Sequence, residues 1–321
     1  MKKTTYILLA LLCGSQLLLA DTNGGLAGSF ARVGAGARAK ALGNAYTGLA
    51  EGTSAIYFNP GALPFGESAM FTATTSQMAL DRSLDYIAFV APVHPKTEGQ
   101  VVNAGIGLGW LHAGVGDIDS RDFDGRPLDM IDMSSNLFLF SFGIQFHDKL
   151  GGGLTAKVIY ETFGKIGNEN SSVNGDGFGL DAALYGRPID HLTLGAHVKD
   201  IAAKTTWNTT EYWSQGGSKA DEWPLQYRFG AAYEYNWLTG VMDIETSEKS
   251  DTRLHAGLEA STQIKEDQTA ALRAGLDNED IDFGIGLGFA FWKVTSIVDF
   301  TYTIESIAPD DAITVSWGVM F

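Results

Sequence analysis

The segment from Ile281 to Phe291 constrains the fold more than any other part of the chain. Ile281, Phe283, Ile285, Leu287, Phe289 and Phe291 share one side of an extended strand; Asp282, Gly284, Gly286, Gly288 and Ala290 share the other. Side chains alternate across a strand with period two, so one face is bulky and apolar and the other nearly bare. The pattern recurs with Val102, Ala104, Ile106, Leu108 and Trp110 against Asn103, Gly105, Gly107 and Gly109. It recurs again with Phe138, Phe140, Phe142, Ile144 and Phe146 against Ser141, Gly143, Gln145 and His147. A soluble barrel packs its large apolar residues inward, which here would leave an outer skin of glycine. In the opposite orientation the bulky face meets hydrocarbon and the small face lines a lumen with room for something inside. Hydrocarbon offers no partner to a backbone N–H or C=O, so such a sheet must close on itself.

Fourteen segments of this kind are predicted, at 67–77, 83–92, 100–112, 135–147, 153–164, 176–187, 191–201, 224–235, 237–246, 252–263, 268–277, 281–292, 294–304 and 312–321. Each approximates the ~9–11 residues that a tilted strand needs to cross a bilayer. Connections after the even-numbered segments are mostly brief, as at 148–149 and 188–190, whereas 113–134, 165–175 and 202–223 are long. Short turns on one side and long loops on the other mark an all-β membrane barrel of the outer-membrane type, with both chain ends at the periplasm. Tyr86, Trp110, Tyr160, Trp237, Trp292 and Trp317 flank the segments and are expected to form interfacial girdles.

The 321 residues are 45% apolar, too much for a disordered chain, and the net charge of −16 argues against a nucleic-acid partner. Lys2 and Lys3, the apolar run Ile7–Leu12 and Leu17–Leu19, and the small Ala20 have the layout of a cleaved signal peptide at 1–20. Cys13, the one cysteine, would leave with it. Residues 21–65 form a second unit, rich in Gly and Ala, and 66–321 form the barrel. Ala39, Leu42, Tyr46 and Leu49 fall on one helical face, which predicts a helix over 38–51. Asn59-Pro60-Gly61 should then turn the chain into the first strand.

Residues Gly36-Ala37-Arg38-Ala39, Leu42-Gly43-Asn44-Ala45-Tyr46, Ala50, Ser54-Ala55-Ile56-Tyr57 and Asn59-Pro60-Gly61-Ala62-Leu63 resemble the N-terminal region of the PorV/PorQ-type family, within the wider FadL-like group of outer-membrane proteins. The match covers about thirty residues and departs in having Gly61-Ala62 where Ala-Gly is more usual. The resemblance implies a fourteen-stranded barrel with residues 21–65 folded into the lumen as a plug. FadL-type members pass hydrophobic molecules such as fatty acids or aromatic hydrocarbons. PorV-type members instead serve a secretion system that exports proteins. Ile313, Val315, Trp317, Val319 and Phe321 alternate with small residues to the last position. This resembles the terminal strand that outer-membrane barrels present to the barrel assembly machinery, with Trp317 and Phe321 as its signal.

The expected plug residues are Arg32, Arg38, Lys40, Leu42, Asn44, Tyr46, Asn59 and Pro60. Alternation places Glu161, Asp181, Glu259 and Asp299 in the lumen as partners for the plug cations, and His197 and His255 on the same face. A charge in a water-poor lumen needs a partner, so these pairs would either fix the plug or act as a latch. Trp207, Tyr212, Trp213 and Trp223 are placed in an aromatic outer loop suited to capturing a hydrophobic small molecule. The acidic stretch 113–134 faintly echoes a calcium loop but has Ile131 at the closing position, so a solvated surface loop is the stronger reading. Six histidines without metal-ligand spacing, and no nominated nucleophile, predict neither a metal, a cofactor nor an enzyme. The expected partners are therefore membrane lipid and either a hydrophobic small molecule or a secreted protein.

Overall fold

The computed structural model describes residues 25–94, 103–166, 171–210, 216–291, 294–306 and 308–321. The signal-peptide expectation for 1–20, Cys13 included, lies outside these residues, as do Tyr212, Trp213 and Trp292.

Strands β1 (Met70–Met78), β2 (Arg82–Val93), β3 (Ala104–Arg121), β4 (Pro127–His147), β5 (Leu150–Ile166), β6 (Ser171–Ile189) and β7 (Leu192–Asn208) follow one another as antiparallel neighbours. A short β8 (Ser218–Glu222) pairs only with β7. Then come β9 (Gln226–Tyr235), β10 (Leu238–Ser247), β11 (Arg253–Lys265), β12 (Gln268–Asp277), β13 (Asp280–Phe291), β14 (Val294–Ile304) and β15 (Ala312–Met320). β7 pairs with β9, and β15 pairs with β1, so fourteen of the fifteen strands close a ring. No ring strand is left with an open edge, as hydrocarbon requires.

The outward faces are apolar as alternation predicts: Phe138, Phe140, Phe142 and Ile144 on β4, and Ile281, Phe283, Ile285, Leu287 and Phe289 on β13, are all exposed. Their neighbours Ser141, Gly143, Asp282, Gly284 and Gly286 point inward and are buried. Trp110, Tyr160, Trp237 and Trp317 lie on the outer surface near its two edges. Tyr86 does not belong to that girdle: it is 1% exposed, faces the lumen, and donates its hydroxyl to Thr53 O at 2.9 Å.

Two lengths of strand coexist. β1, β12 and β15 have nine or ten residues, whereas β3 to β7 have 17 to 21. The expected loop at 113–134 is therefore largely a paired hairpin, with β3 running on to Arg121 and β4 starting at Pro127. At ~3.3 Å per residue, this part of the wall rises well beyond an apolar band as a crest. Along the crest the polarity inverts. Outer positions become Asn136, Thr162, Asn174, Asp176 and Lys204, while Val115, Met133, Phe163, Val173 and Trp207 fall on the inner side. We call the crested rim the mouth and the rim holding Met70 and Phe321 the base.

Residues 25–65 fill the lumen in short pieces rather than one long helix: α1 (Ala37–Ala41), α2 (Ala55–Phe58) and 3-10 turns at Ser29–Arg32, Gly52–Ser54 and Pro60–Phe65. The helix predicted over 38–51 stops after α1. Gly43 and Asn44 have φ of 64° and 58°, and this left-handed turn ends the helix. The bare inner wall explains the close fit. A Cβ on Gly275 would lie 2.1 Å from Gly43 N, and one on Gly257 would lie 2.6 Å from Leu42 O. On the opposite wall Gly143 and Gly153 leave the same room for Pro60, and Gly105 for Leu63. The buried core runs through this segment, with Leu42, Ala45, Ile56 and Phe58 each at most 1% exposed.

Candidate functional site

The site is the plug, its anchors on the wall, and the cavities above and below it. Asn59 is fully buried and spends its whole side chain: Nδ2 donates to Thr47 O and to Leu184 O, both at 3.0 Å, while Oδ1 accepts from Gly61 N at 3.0 Å. Pro60 opens the following turn, where its missing N–H costs nothing. The Asn-Pro-Gly motif thus ties the plug to β6. At the other end, Ala37 N donates to Ser316 Oγ at 2.7 Å and Thr301 Oγ1 donates to Ala37 O at 2.6 Å, tying α1 to β14 and β15.

Three charge clusters hold the rest. In the first, Glu259 receives Arg38 Nε at 2.8 Å from the plug and Arg273 Nε at 2.5 Å from the wall; Asp299 is engaged by Arg273 at 2.7 Å. Burial works against the Arg38 charge, but Glu51 and Glu259 hold its guanidinium well above its ordinary value. In the second, Arg228 binds Asp243 at 2.9 Å and Glu245 at 3.0 Å, and donates to Asn44 O. Asp243 Oδ2 accepts the backbone N–H groups of Tyr46 and Thr47 at 3.1 and 2.9 Å, and Asn44 Nδ2 reaches Asp277 at 2.6 Å. In the third, Lys157 sits 2.7 Å from both Asp181 and Asp200, with His197 Nε2 3.7 Å from Asp181. Lys199 lies over the Tyr57 ring at 4.0 Å, and Tyr57 donates to Ala31 O at 2.8 Å. Burial lowers the Arg32 guanidinium from its usual value, and Asp200 at 3.8 Å opposes the shift.

Of the expected lumen pairs, the structure therefore brings one directly to a plug cation, Glu259 with Arg38. Asp299 reaches the plug only through Arg273. Asp181 is paired from the wall by Lys157. Glu161 accepts Ser135 Oγ at 3.0 Å and Thr205 Oγ1 at 2.8 Å and bonds to no plug residue among the described ones. Lys40 is 7% exposed and forms no ion pair among the described residues. Leu42 and Tyr46 are buried, Tyr46 against Phe58 at 5.4 Å between ring centres. Sequence reasoning passed over Arg228, Asp243, Glu245, Lys157, Asp200 and Arg273. Most stand on the small-residue face, and a charge there was the available signal. Asp200 was not accessible that way, because the register shifts between β6 and β7 move it off the alternation.

Two cavities flank the plug and share no lining residue among the described residues. The mouth cavity, about 1000 Å³, is lined by Phe30 and Val33 of the plug, by Leu84, Met133, Phe163 and Trp207 of the wall, and by charged groups at the rim. The base cavity, about 1050 Å³, lies under Arg38, Tyr46 and Glu51. Trp207, expected in an outer loop, stands instead on β7, lining the mouth cavity with its ring 5.4 Å from that of Phe163. Trp223 does not stand free on a loop. It is 4% exposed, donates to Thr205 Oγ1 at 3.0 Å, and packs edge-on against Phe30 at 5.7 Å, clamping the start of the plug. At the base rim Trp317 is half exposed and donates to Ser296 Oγ at 2.9 Å, and Phe321 N donates to Ala69 O at 2.9 Å.

No protein family matches the sequence, and no curated protein matches it. Solved structures do match in fold. The toluene transporter TbuX of Ralstonia pickettii aligns over 89% of this chain and 98% of its own, with a TM-score of 0.59 and 13% identity. The toluene transporter TodX of P. putida aligns over 89% and 96%, with a TM-score of 0.57 and 13% identity. A Pseudomonas aeruginosa FadL homologue aligns over 84% and 92%, with a TM-score of 0.51 and 11% identity. The chain thus has the fold of FadL-like barrels across nearly its whole described length.

Proposed function

We propose that this protein is an outer-membrane barrel that binds hydrophobic small molecules at its mouth and passes them towards the periplasm past an internal plug, without catalysing a reaction. One observation carries the reading. The crest turns apolar side chains inward above a plugged lumen, at a height where its outer face is already polar. Exposed apolar surface facing a cavity costs free energy in water and is retained where it binds something. The proteins of similar fold described as toluene transporters support a cargo of that kind. The motifs at Leu42–Tyr46 and Asn59–Leu63 keep a PorV/PorQ-type relationship as the narrower family reading. The secretion role draws no support from the solved structures. We place the mouth at the cell surface, with Trp317 and Phe321 presented to the assembly machinery at the base.

The test is uptake of a toluene-like probe by proteoliposomes. Wild type should exceed empty vesicles, and deletion of residues 25–65 should replace selective passage by ion conductance. No uptake above empty vesicles would sink the proposal. Retrieval of secreted proteins from detergent extracts, together with absent uptake, would favour the secretion role instead.

A further inference from the structure

Glu161 is a buried carboxylate, 5% exposed, that lines the mouth cavity. Its described partners are the hydroxyls of Ser135 and Thr205, and it forms no ion pair among the described residues. Asp221, a carboxylate of the same sign, lines the same cavity. The carboxylates of the three charge clusters each have an Arg, Lys or His against them; Asp282, also buried on this cavity, has like Glu161 a hydroxyl partner and no ion pair among the described residues. A carboxylate offers about four lone-pair sites, and the two hydroxyls occupy half of them. A carboxylate desolvated without a counter-charge is costly, so the missing cation is conspicuous.

What surrounds Glu161 indicates which cation would fit. Two residues along the same face of β5 stands Phe163, and Trp207 packs on it from β7. Met133 and Val115 extend the apolar side, and Asp221 and Glu222 of β8 line the same cavity. Aromatic faces attract organic cations, and a rim of negative charge concentrates them. Of the cations that also line the cavity, three are engaged by other groups. Arg32 donates to Pro224 O at 3.1 Å and lies 3.8 Å from Asp200, Arg82 binds Glu305 and Arg253 binds Asp277, while Lys40 and Lys249 form no ion pair among the described residues.

We infer that the mouth cavity is a binding site for an apolar amine, its ammonium on Glu161 and its hydrocarbon body against Phe163, Trp207 and Met133. The inference rests on the hydrophobic-uptake reading and narrows it, since an uncharged hydrocarbon leaves Glu161 without a counter-ion and a carboxylate would be repelled.

The experiment is calorimetric titration of the full chain in phosphatidylcholine nanodiscs with three probes of similar size: 2-phenylethylammonium, ethylbenzene and 3-phenylpropionate. Wild type should bind the ammonium about tenfold tighter than ethylbenzene, the size expected of one charge-assisted contact beside aromatic rings. Glu161→Gln should erase that preference and leave ethylbenzene unchanged. Trp207→Leu, which keeps the bulk and removes the ring face, should weaken the ammonium more than ethylbenzene, and it serves should Glu161→Gln fail to assemble. Equal affinities in wild type, a preference that survives Glu161→Gln, or tighter binding of phenylpropionate overturns the inference. Ethylbenzene bound without ammonium preference leaves the uptake reading standing and removes this one. Ammonium bound through Glu161 with no ethylbenzene binding does the reverse.

Discussion

Glu259 is the single side chain on which plug and wall meet most directly, between Arg38 and Arg273. Replacing it by Gln would leave two guanidiniums with one fewer charge between them in a largely dry site. Breaking one side of a buried pair costs roughly 3–5 kcal/mol. Glu259→Gln should therefore lower the urea midpoint in vesicles and raise ion conductance in planar bilayers. An unchanged midpoint with unchanged conductance would mean that Glu259 does not hold the plug. Asn59→Leu is a second case. It keeps the volume but strands Thr47 O, Leu184 O and Gly61 N. Each orphaned group costs about 1–3 kcal/mol, so protease should cut the plug region of the variant before that of wild type.

Among the elements, the glycine-bearing strands β11 and β12 are shaped by what they admit. Gly275→Val would drive its side chain into the Gly43 backbone, whereas Gly240, whose nearest foreign atom to a Cβ is 3.6 Å away, should accept Ala. Both barrels should assemble, as read by heat-modifiable gel mobility, because the wall ladder does not depend on either side chain. The plug of Gly275→Val alone should become open to protease. Inward glycines were legible as room for a filling, and the ladder of β12 and β14 was legible to the residue. The crest was not. Above the apolar band both faces meet water or a cavity, so the period-two contrast fades in 113–134 and 202–208 although the backbone stays paired. The plug helix was over-read for the opposite reason: Leu42, Tyr46 and Leu49 keep a helical spacing, but Gly43 lets the chain turn where the wall leaves no room for another helical turn.

The whole molecule is an inside-out barrel whose apolar band is continuous around the ring. Phe140→Arg puts a cation near the middle of that band and should cost about 2–4 kcal/mol in vesicle unfolding, the range for a lipid-facing barrel position. Asn174→Arg, on the outer face of the crest, should cost nothing measurable. Similar losses at both positions would place the lipid boundary wrongly. Removing Phe321 should lower the yield of assembled barrel in cells while leaving refolded protein intact, if the last strand is read by assembly machinery.

Strand number, the direction each face looks and the existence of something inside the lumen all follow from local alternation, because lipid rewards one face and leaves nothing but small residues room on the other. Which charges meet is a different matter. Glu259 finds Arg38 across 221 positions, Asp243 takes the Tyr46 and Thr47 amides, and Glu161 meets only hydroxyls among the described residues. Those pairings depend on how the plug folds back and on register shifts within the ring, and no spacing along the chain encodes distances that arise only when the ring has closed around it.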